Sequence, residues 1–286
     1  MEKPFQTLDR QVELLRKRGL DIGDRDQARQ LLHRLNYYRI SGYGRQFQED
    51  PSVGKNDFVD GTTLSRLVQL LALDTQLRLL CTEALSEIEI GVRSRFAHEA
   101  GSVYGDAAFY LEPASYLDIT PDLGQHIGKI RRELSRPKLK TVERYRVGDD
   151  LSKVPIWVAI ELISFGALAK MMWYLNDPRP SHATADAMRL QHSGFASTIH
   201  SFAVLRNACA HHGQLWHRNF DVLFATRTKE KKREPSHTPS GAYTGIVVIK
   251  RFLRAMDVLP DWQDRVNTLL DSDTEFRGGI LRPSPR

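Results

Sequence analysis

The stretch LRNACAHHGQLW, residues 205–216, sets an arginine, an asparagine and two adjacent histidines inside a segment that otherwise reads as helix. Successive helical residues turn by about 100°. Phe202, Leu205 and Cys209 therefore share one stripe, predicted to pack inward, while His200, Val204, Asn207 and His211 share the opposite line. His212 falls beside the inward stripe, where a histidine bonded to a carbonyl meets the requirement that buried polar groups be paired. His211 projects away from the core. Arg206 lies about 140° around the axis from His211 on an ideal helix, so the two meet at one substrate only if the arginine curls round, the helix end distorts or a second copy contributes.

Three chemistries can be built from these residues. A zinc site from Cys209, His211, His212 and His217 has suitable donor atoms, but adjacent helical residues diverge and no second pair of closely spaced cysteines appears. A Cys209–His211 nucleophilic pair meets the same objection, since residues two apart face different ways. The third is RNA cleavage without a metal or other cofactor. There the ribose 2′-hydroxyl attacks the adjacent phosphorus, an imidazole near its ordinary pKa exchanges a proton, and a guanidinium offsets the charge gathering on the phosphoryl oxygens. Arg206, Asn207 and His211 supply the side chains that reaction needs.

The elements that must hold them read as helices. TLSRLVQLLALDTQLRLLCTEALSEIEIGVRSRFAHEA, 63–100, carries apolar residues at three-and-four spacing and predicts one very long helix, or two with a bend. Shorter helices are predicted over 6–18 and 25–39, with Gly19 as a stop and Asp24 as an N-cap, followed by a loop over 41–61. Further helices are predicted over 122–136, 155–175, 183–193, 196–212, 243–256 and 260–271. A basic linker covers 137–150 and a mobile polar loop 226–240; only GIVVIK hints at a strand. The architecture expected is an all-α bundle, with an N-terminal helical segment over 1–60, a helical domain over 61–272 and a flexible C-terminal tail over 273–286.

The chain of 286 residues carries a formal charge of +6, and 41% of it is hydrophobic, enough for a substantial core. The N-terminus lacks the apolar stretch of a signal peptide, and Glu161 and Lys170 interrupt the apolar run 155–175, so a membrane role is not expected and a cytoplasmic location is. Cys81 and Cys209 read as small core residues. The excess charge is clustered: 129–146 carries eight Lys or Arg against two Glu, and 227–234 five against two. Lys129, Arg131, Arg132, Lys138, Lys140 and Arg144 are the candidate RNA-binding cations, against a plainer reading as solvated faces.

RNACAH, 206–211, is similar to the Arg-polar-x-x-x-His signature of HEPN domains, an all-α superfamily containing many endoribonucleases. LNYYRISGY at 35–43, the Glu-Ile-x-x-Arg-Ser pattern within EIEIGVRS at 87–94, PIWVAIELISFGAL at 155–168 and LRNACAHHGQLWHR at 205–218 together resemble, in order, the Abi family of bacterial phage-resistance proteins (the abortive-infection, AbiD/AbiF-like group). The resemblance spans roughly residues 5–225. His217 stands where the family's ending reads Asn.

The resemblance implies a HEPN-type bundle and a cytoplasmic RNA nuclease of an anti-phage or toxin–antitoxin kind, working as a homodimer and held in check by a regulatory RNA or a protein antitoxin. Arg206 would bind the scissile phosphate, His211 would act as acid or base, Asn207 would orient it, and the product would carry a 2′,3′-cyclic phosphate. A two-fold axis would bring Arg206 and His211 of both copies around one phosphate. Two other readings stay open: a non-catalytic RNA-binding module of a defence ribonucleoprotein, and an assembly subunit with solvated basic loops. Among supporting residues, Glu89 and Arg93 form an i, i+4 pair that either steadies its own helix or braces the signature helix. Glu161 is expected to find a buried donor. Tyr37, Tyr38 and Tyr43 either stack on bases or anchor the core, and Trp157 and Trp216 are expected in the core.

Overall fold

Side-chain caps start several helices where the sequence places them. In the computed structural model, which describes residues 4–119, 121–136, 140–146 and 148–284, Thr7 opens α1 (Leu8–Lys17), and the Asp24 carboxylate accepts the Gln27 amide at 2.8 Å to open α2 (Arg25–Leu35). Gly19, at φ +86°, turns the chain after α1. The predicted 25–39 helix breaks at Asn36, whose backbone is left-handed and whose side chain caps α3 (Tyr37–Gly44). The expected loop over 41–61 thus holds the end of α3 and a small antiparallel hairpin, β1 (Gln48–Asp50) with β2 (Lys55–Phe58), pairing Gln48 with Phe58. Phe58 anchors it in a core with Val12, Leu15, Leu32, Ile40 and Leu67.

Thr63 caps α4 (Leu64–Tyr104), the predicted long helix, unbroken over 41 residues and about 60 Å. It runs through the middle of the molecule, against α3 and most of the helices that follow. Leu77, Ile88, Val92 and Phe96 along it are fully buried. The chain continues through α5 (Leu123–Leu134) and α6 (Lys140–Glu143), the latter a short helix within the expected linker.

The apolar run 155–175 is not one helix. It divides into α7 (Ile156–Leu162) and α8 (Phe165–Tyr174) because Ile163 is extended and Ser164 starts a new turn. Two groups remote in sequence hold that break: the nearly buried Glu133 carboxylate accepts the Ser164 amide at 2.9 Å, and the Arg93 guanidinium bonds the carbonyls of Ile160 and Ile163. Glu161 and Trp157, both on α7, are exposed, so Glu161 needs no buried donor and Trp157, at 43% exposed, is not core.

Next come α9 (Arg179–Ala187), which starts earlier than predicted, and α10 (Phe195–Ala210), the signature helix, which packs on α4 and α8. The polar segment 226–240 contains α11 (Thr228–Arg233). GIVVIK lies inside α12 (Ala242–Met256), where its β-branched residues are buried on nearly every side; that burial overrides their strand propensity. α13 (Trp262–Asp271) precedes α14 (Thr274–Leu281), which corrects the expected tail. Phe276 and Ile280, four apart, are fully buried, and Asp273 and Glu275 both pair with Arg66 at the start of α4. Among the described residues no helix is long and apolar enough to cross a membrane.

Candidate functional site

Cys209 and His211 part company at the end of α10. Phe202, Leu205 and Cys209 are buried as the helical wheel predicts, whereas Asn207 and His211 are exposed. The Cys81 thiol on α4 is pushed well up by its contact with Cys209 and by burial, which fixes that face as interior. The four zinc donors considered above therefore divide between core and surface. Among the described residues no group of three or more His, Cys, Asp or Glu is placed to hold a metal ion.

His212 takes a different place from the predicted one. Helix α10 ends at Ala210 in a Schellman turn: the Gly213 amide reaches back to the Ala208 carbonyl at 2.7 Å and the His212 amide to that of Cys209 at 3.1 Å. That turn requires a left-handed residue, and His212 fills it at φ +56°. Its side chain is exposed rather than core-flanking, and its carbonyl accepts Arg39 Nη1 at 3.0 Å.

Arg206 projects from α10 onto Glu89 of α4. Nη2 lies 3.0 Å from Oε2 and 3.3 Å from Oε1, and Nε lies 3.2 Å from Oε2. The same carboxylate receives Arg93 Nε at 3.0 Å and Nη2 at 2.5 Å. Glu89 is thus a bridge between two guanidiniums, one bracing the α7–α8 break and the other on the signature helix. The Glu89–Arg93 pair expected from the sequence and the signature arginine come together here, and the helix-pair and bracing roles of Glu89 coexist. Asn207 Oδ1 accepts Arg206 Nη1 at 3.1 Å, so in this arrangement the amide orients the guanidinium. Arg206 keeps a third of its side chain exposed, open to an anion.

A buried network fixes the turn that follows. Asp74, on α4 and fully buried, accepts the Tyr43 hydroxyl at 2.5 Å, the Leu215 amide at 3.1 Å and the Trp216 amide at 3.0 Å, and pairs with Arg78. Burial pushes this carboxyl up while those donors pull it down. Trp216, buried as expected, stacks between Tyr43 and Phe47. Tyr43 is core, whereas Tyr38 is 65% exposed. Sequence reasoning missed Asp74 and Arg78. The signal was present: an aspartate sits at a position of the 63–100 stripe where an apolar residue belongs.

The described basic candidates are all exposed. Arg131 and Arg132 are exposed on α5, Lys129 is exposed with Glu133 3.9 Å away, and Lys140 and Arg144 are exposed in and after α6. Lys138 lies outside the described residues. Helix α5 packs on α7 and α8, and no ion pair or hydrogen bond among the described residues links these cations to Arg206.

The segments that meet at the end of α10 carry Tyr43, Glu89 with Arg93, the Ile160 and Ile163 carbonyls, and Arg206 to Trp216. The sequence model of a family described as Abi-like protein matches residues 30–217, which contain all of them. The chain belongs to the Abi-like family. Membership supports abortive-infection defence as the setting of this Abi-like protein. No curated protein and no solved structure gives a match.

Proposed function

We propose that this Abi-like protein is a metal-independent endoribonuclease of the HEPN type. The observation that carries the reading is the placement at one end of α10, five residues apart, of an exposed His211 imidazole with no ion pair or hydrogen bond among the described residues and a part-exposed Arg206 guanidinium held by Glu89. In the reaction the 2′-oxygen forms a bond to phosphorus as the P–O5′ bond breaks. One group takes the 2′-hydroxyl proton and another gives a proton to the departing 5′-oxygen. His211 performs one transfer and, in a two-fold dimer, His211 of a second copy the other, while Arg206 offsets charge on the phosphoryl oxygens. Glu89 holds Nε and Nη2 and Asn207 holds Nη1, while a third of the side chain stays exposed for phosphate to approach.

Purified protein incubated with RNA in EDTA is expected to yield 2′,3′-cyclic phosphate ends, and His211→Ala to cut the rate by at least about 10²-fold. Absence of cleavage on cellular, messenger and transfer RNA, with His211→Ala as toxic in cells as the parent, would overturn it.

A second reading, a non-catalytic RNA-binding module, is favoured by one observation: the Arg206 guanidinium already has a carboxylate partner, as a structural arginine does. It predicts tight, salt-sensitive RNA retention that His211→Ala leaves unchanged.

A further inference from the structure

The basic segment 227–234 takes no part in the Arg206 site. Its first three residues, Arg227, Thr228 and Lys229, line a cavity of about 560 Å³ at the opposite end of α10, within the size range of small-ligand sites. Arg227, Lys229 and Arg251 all border it, together with Ser193, Phe195 and Phe252. Arg251, on α12, is anchored: its Nη1 lies 3.0 Å from Glu230 Oε2 and its Nη2 lies 2.9 Å from the Ala225 carbonyl. Among the described residues neither Arg227 nor Lys229 stands in an ion pair. Glu230 therefore offsets one of three positive charges, and two remain gathered around a concave space. Such clustering is unfavourable until an anion joins it.

The backbone is shaped to keep this cavity. Gly194 has φ +73°, and a Cβ on it would stand 2.9 Å from the Ala225 Cβ, so only glycine lets the segment carrying Arg227 and Lys229 close against the start of α10. Beside the cations the lining carries the hydroxyl side chains of Ser193, Thr198, Thr226 and Thr228, while the buried Phe195 and Phe252 close it from the core; this suits a phosphate joined to further hydrogen-bonding groups, as on a ribose, better than a bare ion.

We propose that this cavity binds the phosphate of a nucleotide, either a free mononucleotide or one nucleotide of a bound RNA strand. It is a second site. From Gly194 to Arg206 the helix rises about 18 Å, too far for one phosphate to touch both ends. The proposal goes beyond the nuclease reading and does not require cleavage.

The test uses full-length His211→Ala protein, so that probes stay intact, and fluorescence anisotropy with two probes: N-methylanthraniloyl-ATP and a fluorescein-labelled single-stranded RNA dodecamer. Arg227→Ala with Lys229→Ala is compared with Lys231→Ala with Lys232→Ala, which removes the same charge from outside the cavity. Thermal melts confirm that both fold. A loss of at least about tenfold in the cavity variant alone is expected. If the labelled ATP loses affinity the ligand is a free nucleotide; if only the RNA does, it binds as part of a strand. Equal losses in the two variants, or no binding of either probe, would overturn the proposal. A failure of the nuclease reading would show instead as binding without cleavage in the parent protein.

Discussion

Glu89 on α4 holds the Arg206 guanidinium on α10 through both carboxylate oxygens, with Nη2 to Oε2 at 3.0 Å, although 117 positions separate them in the chain. Because Arg93 shares that carboxylate, Glu89→Ala leaves two guanidiniums facing each other, with side chains 12% and 33% exposed. The expected cost is about 2 kcal/mol in urea unfolding. A change under about 0.5 kcal/mol would mean that water already satisfies the pair.

The two histidines after α10 should respond in opposite ways. His212→Gly relieves left-handed backbone strain of about 1 kcal/mol and loses a similar amount through chain entropy, so stability should stay within about 1 kcal/mol and RNA cleavage should persist. His211→Ala should leave the melting temperature unchanged and remove cleavage. Loss of activity in both variants would show that the turn, rather than one imidazole, is what matters.

If the α5 surface grips RNA, Arg131→Ala with Arg132→Ala should weaken binding of single strands of any sequence. The slope of log affinity against log salt should fall by about 0.7 for each phosphate that the variant no longer neutralises. An unchanged slope would mark these arginines as solvated.

His126 is buried against Tyr116, and burial, then the charges of Lys170 and Lys129, hold its pKa down at about 4. Unfolded, it titrates near 6.5. The unfolded chain therefore binds more protons between these values, so this histidine's contribution is fully favourable above about pH 6.5 and is lost as pH falls toward 4, by about 2 kcal/mol after allowing for solvent screening. Urea titrations at pH 7.5 and 4.5 should show that difference, and His126→Phe should shrink it. An equal pH response in the variant would place the titration elsewhere.

A Cβ at Gly279 would lie 2.2 Å from Trp216 Nε1 and 2.7 Å from His217 Cδ2. Gly279→Ala must push α14 off the signature turn, at a cost of about 1–3 kcal/mol. Tryptophan fluorescence should shift to the red as Trp216, now 1% exposed, meets water; an unshifted spectrum would argue that the helix slides without opening.

Helix α4 was legible because one apolar stripe persists at helical spacing across its whole length, and the inward stripe of α10 for the same reason. The α7–α8 break was not, since what holds it, Glu133 and Arg93, lies 31 and 70 positions from the residues it binds. GIVVIK misleads because a helix buried all round shows no polar face, leaving only its β-branched residues to judge by. At the site, the Glu89–Arg93 spacing announced one ion pair, but nothing local ties Glu89 to Arg206. His212 could not be placed by a wheel that assumes the helix continues through it, and the geometry of the stop depends on Gly213 reaching Ala208.

The packing of Gly279 against Trp216, with the Gly279 carbonyl accepting the His217 amide at 3.2 Å, has a consequence for synthesis. Ribosomes build from the amino end, so Arg206 to Trp216 emerge long before the segment that seals them. A nascent chain already carries Asp74, Tyr43 and the signature helix, yet Trp216 and His217 gain their cover from Gly279 only once α14 has left the exit tunnel.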